Sequence, residues 1–262
     1  GRLEHFVKPL TSYHKTKTAG DFTHYGDQMF VLLQSLEASS GFDLNHFGET
    51  WKAFFKDYDG YFDKATNATL ENFAGGKGPQ ESGSPSDDLG GASRIAPLAY
   101  CYSEDLEKMV EHSRDQTAMT HNNPHVIDAA EFFARVVWKV LKGSKPSDAL
   151  KSVVDENFRK EPFSEWVTDG MESAEMETRG VISDFGQMCE IGAALPATIH
   201  LIVKYENNLK DALVENIMAG GDSAARGMLA GLVLGAYLGF DAIPEEWLSD
   251  LNSYHKITQL LK

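Results

Sequence analysis

Basic residues are scarce in this chain, which has 24 Lys and Arg against 39 Asp and Glu, a formal net charge of −15. That balance excludes a broad electrostatic attraction to nucleic-acid phosphates or anionic lipid surfaces, while leaving room for a local basic patch around one small anion. Cysteine is nearly absent. Cys101 and Cys189 lie far apart, without any CxxC or Cys/His spacing, so neither a disulfide framework nor a zinc site follows and both are expected as core thiols. Long apolar runs are missing too. The best, Met228 to Phe240, is interrupted by Gly231, Gly235 and Gly239 and falls short of the roughly 18 to 20 residues that span a bilayer, so it reads as a buried helix without membrane insertion. The chain opens Gly1-Arg2-Leu3-Glu4-His5, with neither an initiator Met nor the basic-then-apolar layout of a secretory signal. A processed chain or a piece of a longer product is expected, and a soluble intracellular one. Asn67-Ala68-Thr69 fits a glycosylation sequon, a triplet common by chance. Period-two alternation is rare and no repeat of solenoid length stands out, which leaves little room for sheet.

Helical signals are what remains. With 262 residues and 42 % hydrophobic content the chain can bury one sizeable core, and a single domain over residues 1–262 is expected. Phe30, Val31, Leu33 and Leu36 predict a first helix closed by Ser39-Ser40-Gly41. Phe47, Trp51, Phe54 and Phe55 put an aromatic stripe on a second, from Leu44 to Tyr58. Asn67 to Gly91 reads as one long loop, rich in Gly, Pro and small polar residues, and Leu89 to Leu98 as a closely packed helix. Asn123-Pro124 opens the clearest helix, with Val126, Ala129, Ala130, Phe133, Val136, Val137 and Val140 on one face, before Pro146 opens another through Phe158. Gly186 to Lys204 suits a central helix that Pro196 should kink or divide. Asn208 to Met218, Ser223 to Leu238 and Pro244 to Leu261 complete an all-α orthogonal bundle.

Gly220-Gly221-Asp222 stands between two of these helices. A Gly-Gly turn with an Asp cap explains it locally, and so does a corner whose amides face a bound anion. Asp87-Asp88, at the end of the glycine-rich loop, offers a capped helix start or acceptors for ribose hydroxyls. His121, beside Asn122 and Asn123, suits loop anchoring or acid–base work. Ser93 and Arg94 suit a phosphate contact, or a local carboxylate partner for Arg94.

Taken together, four ordered segments carry more information: Gly20-Asp21-Phe22-Thr23-His24-Tyr25-Gly26-Asp27-Gln28; Ser86 through Pro97; Thr120-His121-Asn122-Asn123-Pro124; and Gly220-Gly221-Asp222-Ser223-Ala224-Ala225-Arg226-Gly227 with the later Gly231, Gly235, Ile243-Pro244 and Trp247. This pattern resembles the ADP-ribosylglycohydrolase family, in particular the branch that includes the jellyfish J1 lens crystallins. The resemblance implies an ADP-ribosylglycohydrolase-like orthogonal helical bundle, an ADP-ribose-like small-molecule ligand, and hydrolysis of the bond from C1″ of ADP-ribose to its acceptor. Two magnesium ions, held by an early Thr-Asp-Asp-Thr motif and a late Asp-x-Asp-Thr motif, would polarise the ribose and orient water. Here the early motif corresponds to His24-Tyr25-Gly26-Asp27 and the late one to Asp222-Ser223-Ala224-Ala225, so most metal ligands are replaced. Asp27, in place of the motif's threonine, and Asp222 are left as the candidate catalytic and metal-binding carboxylates, able to converge on one cation. The competing arrangement has Arg226 or His24 supply positive charge where metal sits in the family, closing a salt bridge. The family's N-terminal Gly-Asp-Ala-Leu-Gly-like segment has no equivalent before Gly1, which suits a chain that loses it or a subunit whose missing wall another polypeptide supplies. A hydrolase with an altered site and a catalytically inactive structural or assembly subunit both follow.

Overall fold

A computed structural model describes residues 1–261. Among these the chain forms α1 (His24–Ala38), α2 (Leu44–Lys56), α3 (Lys64–Ala74), α4 (Ala96–Cys101), α5 (Leu106–Ala118), α6 (Pro124–Leu141), α7 (Pro146–Asn157), α8 (Phe163–Glu172), α9 (Thr178–Phe185), α10 (Ile191–Lys204), α11 (Leu209–Met218), α12 (Ser223–Leu238), α13 (Glu245–Asp250) and α14 (Tyr254–Leu260). Short 3-10 turns join some of them, and the only extended pairings among the described residues are two isolated bridges. The expected all-α bundle is what forms. No described helix is long and apolar enough to cross a membrane.

The centre of the bundle is α6, α10 and α12. Asn123 caps α6 by accepting from the amides of His125 and Val126 at 3.0 and 3.4 Å, with Pro124 at a position that needs no donor. Its predicted stripe from Val126 to Val140 is buried throughout, against α5, α7 and α12. Of the two expectations for Pro196, a kink or a division, division does not occur: α10 runs from Ile191 to Lys204 as one helix with Pro196 inside it, starting later than the expected Gly186. α8 backs it closely: a Cβ on Gly170 would stand 2.6 Å from the Pro196 carbonyl and from Ile199. A second apolar cluster, with Val31, Leu32, Phe47, Trp51, Phe55, Leu98 and Met119 at its heart, unites α1, α2 and α4. The aromatic stripe of α2 is therefore core.

Four expectations are corrected. The first third of the predicted loop from Asn67 belongs to α3, which Asp63 caps by accepting from the Thr66 amide at 2.6 Å. What remains of the loop is pinned, as Ser84 pairs with Thr120 and Asn122, and Asp87 and Leu89 pair with Ile191 and Cys189. Leu89–Arg94 is a buried 3-10 turn before α4 rather than the first part of one helix. The C-terminal helix is two, α13 and α14, since Asn252 between them bonds to the Gly20 carbonyl and to Ala19 and Asp21. Neither cysteine is a core thiol: Cys101 is exposed and Cys189 half-buried.

Candidate functional site

The turn between α11 and α12 needs its two glycines. Gly220 and Gly221 have φ of 73° and 68°, and a Cβ on Gly221 would stand 2.2 Å from the Gln187 carbonyl. That carbonyl accepts from the Asp222 amide at 2.9 Å, so the turn is clamped to the segment between α9 and α10. Asp222 caps α12 with one oxygen, accepting from Ala224 at 3.4 Å, and turns the other toward Tyr25. Asp88 likewise caps the 3-10 turn with one oxygen, accepting from Gly90 at 2.7 Å. The Tyr25 hydroxyl, 2.7 Å from Asp88 and 3.1 Å from Asp222, joins the two carboxylates.

Glycine makes this junction possible. The Tyr25 ring lies so close to Gly90 that a Cβ there would stand 2.2 Å from it, and one on Gly91 would stand 2.5 Å from the His121 ring. Burial, then Asp88 and Asp222, push the Tyr25 phenol well above its ordinary range, so it remains a donor. Burial raises the Asp88 carboxyl to about 6, with Asp222 and Asp63 adding to the rise and the Tyr25 and Gly90 donors opposing it. Cys189 completes the corner. One ligand atom each from Asp88, Cys189 and Asp222 lies within 4.8 Å of the others, and burial, then Asp88 and Asp222, push the thiol up to about 12.

The other predicted residues are distributed around this corner. His24 is buried, packs on Tyr25 at 3.9 Å between ring centroids and pairs with Asp63 at 3.2 Å. Burial opposes ionisation of Asp63, but bonds from His24 and the Thr66 amide outweigh it and hold that carboxyl below its usual range. His121 is buried with Nδ1 on the Thr120 hydroxyl at 2.9 Å; burial and Arg94 push it down to about 3. Arg94 is enclosed and donates to Gln28, Thr120 and the Gly91 carbonyl, none of them the carboxylate expected for it. Asp87 is exposed and contributes its carbonyl. Gly26 is buried against Phe22, and Ser223 is half-buried, its carbonyl accepting from Asn216 at 2.8 Å.

Two expected pairings do not form. Arg226 donates to Asn216 at 3.0 Å and to the Gly220 carbonyl at 2.6 Å, so it braces the glycine turn from behind instead of closing a salt bridge with Asp222. Its guanidinium thus meets a side-chain oxygen on the last turn of α11 and a carbonyl two residues past the end of that helix, where the helix dipole favours a cation. Asp27 is held by Lys17 at 2.5 Å and Tyr58 at 2.7 Å, and is not one of the three residues grouped around Asp222. Lys17, Tyr58, Asp63 and Gln187 carry no site signal in the sequence, and Cys189, expected as a core thiol, stands in the corner instead. Asp63, three residues before Thr66, carried a capping signal; the others have only their tertiary position.

The magnesium pair implied by the resemblance calls for near-octahedral oxygen ligands. The corner offers two carboxylates, a thiol better suited to softer ions, and a hydroxyl whose proton points at the carboxylates. With Asp27 engaged by Lys17 and Tyr58, this donor set does not fit a dinuclear magnesium site.

Comparison with known proteins agrees with the pattern of motifs. The ADP-ribosylglycohydrolase family model matches residues 2–262. Crystallin J1A of Tripedalia cystophora is 22 % identical over 256 residues, covering 92 % of this chain and 78 % of the crystallin. The human ADP-ribosylhydrolase ARH3 is 25 % identical over 269 residues, covering 86 % of this chain and 73 % of that protein. Among solved structures, an ADP-ribosylglycohydrolase-related protein complex superposes with a TM-score of 0.72 at 21 % identity, over 99 % of this chain and 90 % of the other. With its four ordered segments, its helical bundle and a family model matched along almost its whole length, the chain belongs to the ADP-ribosylglycohydrolase family.

Proposed function

We propose that this chain is a catalytically silent member of the ADP-ribosylglycohydrolase family, in which the Asp88–Asp222 corner serves binding or assembly. The observation that carries the reading is the Tyr25 hydroxyl bonded to both Asp88 and Asp222. A phenol donor there lowers the repulsion between two close carboxylates, the task that a cation performs in a metal site. The corner retains acceptors that suit hydroxyl groups of an ADP-ribose-like ligand, but lacks a donor set to polarise the ribose and orient water. Similarity to Crystallin J1A, and to a solved structure described as a protein complex, supports a structural or subunit role.

Incubation with ADP-ribosylated arginine, ADP-ribosylated serine or small-molecule ADP-ribosides, with and without magnesium, tests the reading. No release of ADP-ribose is expected, while free ADP-ribose, titrated calorimetrically, binds wild type and binds Asp222→Ala more weakly. Release that Asp222→Ala abolishes would sink the proposal. A second reading, hydrolysis without magnesium, is favoured by one observation: Asp88, raised to about 6, stands beside a second carboxyl group, Asp222, and below that pH it would offer the proton that glycoside hydrolysis draws from one member of such a pair. It predicts magnesium-independent release that falls away in Asp88→Asn.

A further inference from the structure

Residues 1 to 19 bury none of their side chains, yet they are held at two places, each next to an element that carries part of the Asp88–Asp222 corner. At the first, Arg2 pairs with Asp211 and, at 3.4 Å, with Glu215 of α11, and the Glu4 carbonyl accepts from Trp247 of α13 at 2.7 Å. At the second, Tyr13 meets Tyr61 edge-on at 4.9 Å, His14 stacks on His24 at 5.6 Å, and Lys17 reaches Asp27 of α1. These anchors adjoin the corner, because α11 leads directly into Gly220-Gly221-Asp222 and His24 packs on Tyr25. His14 lies within electrostatic reach of both Asp222 and Asp27, and Tyr61 within reach of Cys189 and Asp88. Between the anchors, Val7 and Leu10 are 48 % and 92 % exposed.

We propose that the segment from Phe6 to Lys17 is a releasable strap, which crosses the mouth of the Asp88–Cys189–Asp222 corner and controls access to it. Release costs little in this geometry. The Arg2 pairs are partly exposed and contribute modestly, as do the ring contacts of Tyr13 and His14, while Lys17, whose pair with Asp27 is largely enclosed, stays as the strap's fixed end. Segments held this way open locally without unfolding the remainder. The inference does not depend on what the corner binds.

The two cysteines supply the test, since Cys189 sits in the corner and Cys101 is exposed on α4 and serves as an internal reference. Maleimide labelling of each is followed by mass spectrometry in wild type and in the Tyr13→Ala/His14→Ala variant of the whole 262-residue chain, which removes the ring contacts to Tyr61 and His24. Cys189 labelling is expected to rise about tenfold while Cys101 labelling stays constant, as loss of two modest aromatic contacts would give. If Cys189 labelling in the variant is unchanged, or rises in step with that of Cys101, the strap does not guard the corner and the proposal is overturned. Should the variant fail to fold, wild type at increasing salt replaces it. Screening of the exposed Arg2 pairs should then speed labelling of Cys189 alone, and a rate without that selective rise overturns the proposal equally.

Discussion

Tyr25 is a residue with one proton and two acceptors, and the consequences can be measured. Tyr25→Phe keeps the ring against Gly90 and removes the donor, leaving Asp88 and Asp222 to repel each other. A loss of about 1 to 3 kcal/mol of unfolding free energy is expected at neutral pH, read from urea midpoints. Asp88 adds a pH dependence of definite sign. Its folded pKa, about 6, lies above the unfolded value of 3.8, so the native state holds the extra proton between them. The contribution is favourable relative to neutral pH below about 4 and is lost as pH rises through about 6. His121 runs the other way. Its folded value of about 3 lies below the usual 6.5, so its neutral form contributes stability above about 6.5 that is lost on acidification. Asp88→Asn, which mimics the protonated carboxyl, should therefore raise stability at pH 7.5, leave it nearly unchanged at pH 4 and steepen the remaining rise between. Equal urea midpoints for variant and wild type at both pH values would contradict this assignment.

At the scale of elements, the site rests on turns more than on helices. The 3-10 turn Leu89–Arg94 brings Asp88 under Tyr25, and the Gly220-Gly221 turn aims Asp222 at the same hydroxyl. Gly221→Ala places a side chain at positive φ and against the Gln187 carbonyl; a cost of about 2 kcal/mol or more is expected in thermal unfolding. Asn123→Ala is the control far from the corner, removing only the cap of α6, and should cost about 1 kcal/mol. Helices with a cap and an apolar stripe, α6 and α12, were legible from the sequence with nearly their observed bounds. α5, α8 and α9 were not singled out. In α5 the buried face mixes Met109 and Val110 with Ser113, Gln116 and Thr117, a polar set that periodicity does not flag.

For the whole molecule, the acidic surface and the altered corner make different predictions about cations. The net charge of −15 attracts magnesium weakly and diffusely, whereas a built site would bind it and shift the unfolding equilibrium by mass action. Millimolar magnesium and the same ionic strength of sodium chloride are therefore expected to give the same melting temperature within about a degree, since less than ~0.5 kcal/mol of specific binding corresponds to such a shift in a chain of this size. A saturating rise with magnesium alone would show that the corner takes the ion despite Tyr25. Oligomeric state, measured by light scattering, reports separately on the subunit reading, which predicts an assembly larger than one chain.

Local order carried the family and most of the helices, because caps, glycine turns and apolar periodicity act over a few residues and leave their mark in sequence. It also carried Tyr25 and Gly26 at the two places where the resemblance implies aspartates. What the Tyr25 phenol meets was decided by tertiary structure alone. Asp222 and Arg226, one helical turn apart, read as a salt bridge, yet Arg226 turns to Asn216 and the Gly220 carbonyl while a phenol 197 positions away takes the carboxylate. Contacts of that sequence separation depend on how helices cross and where glycine lets rings approach, and no local pattern records them.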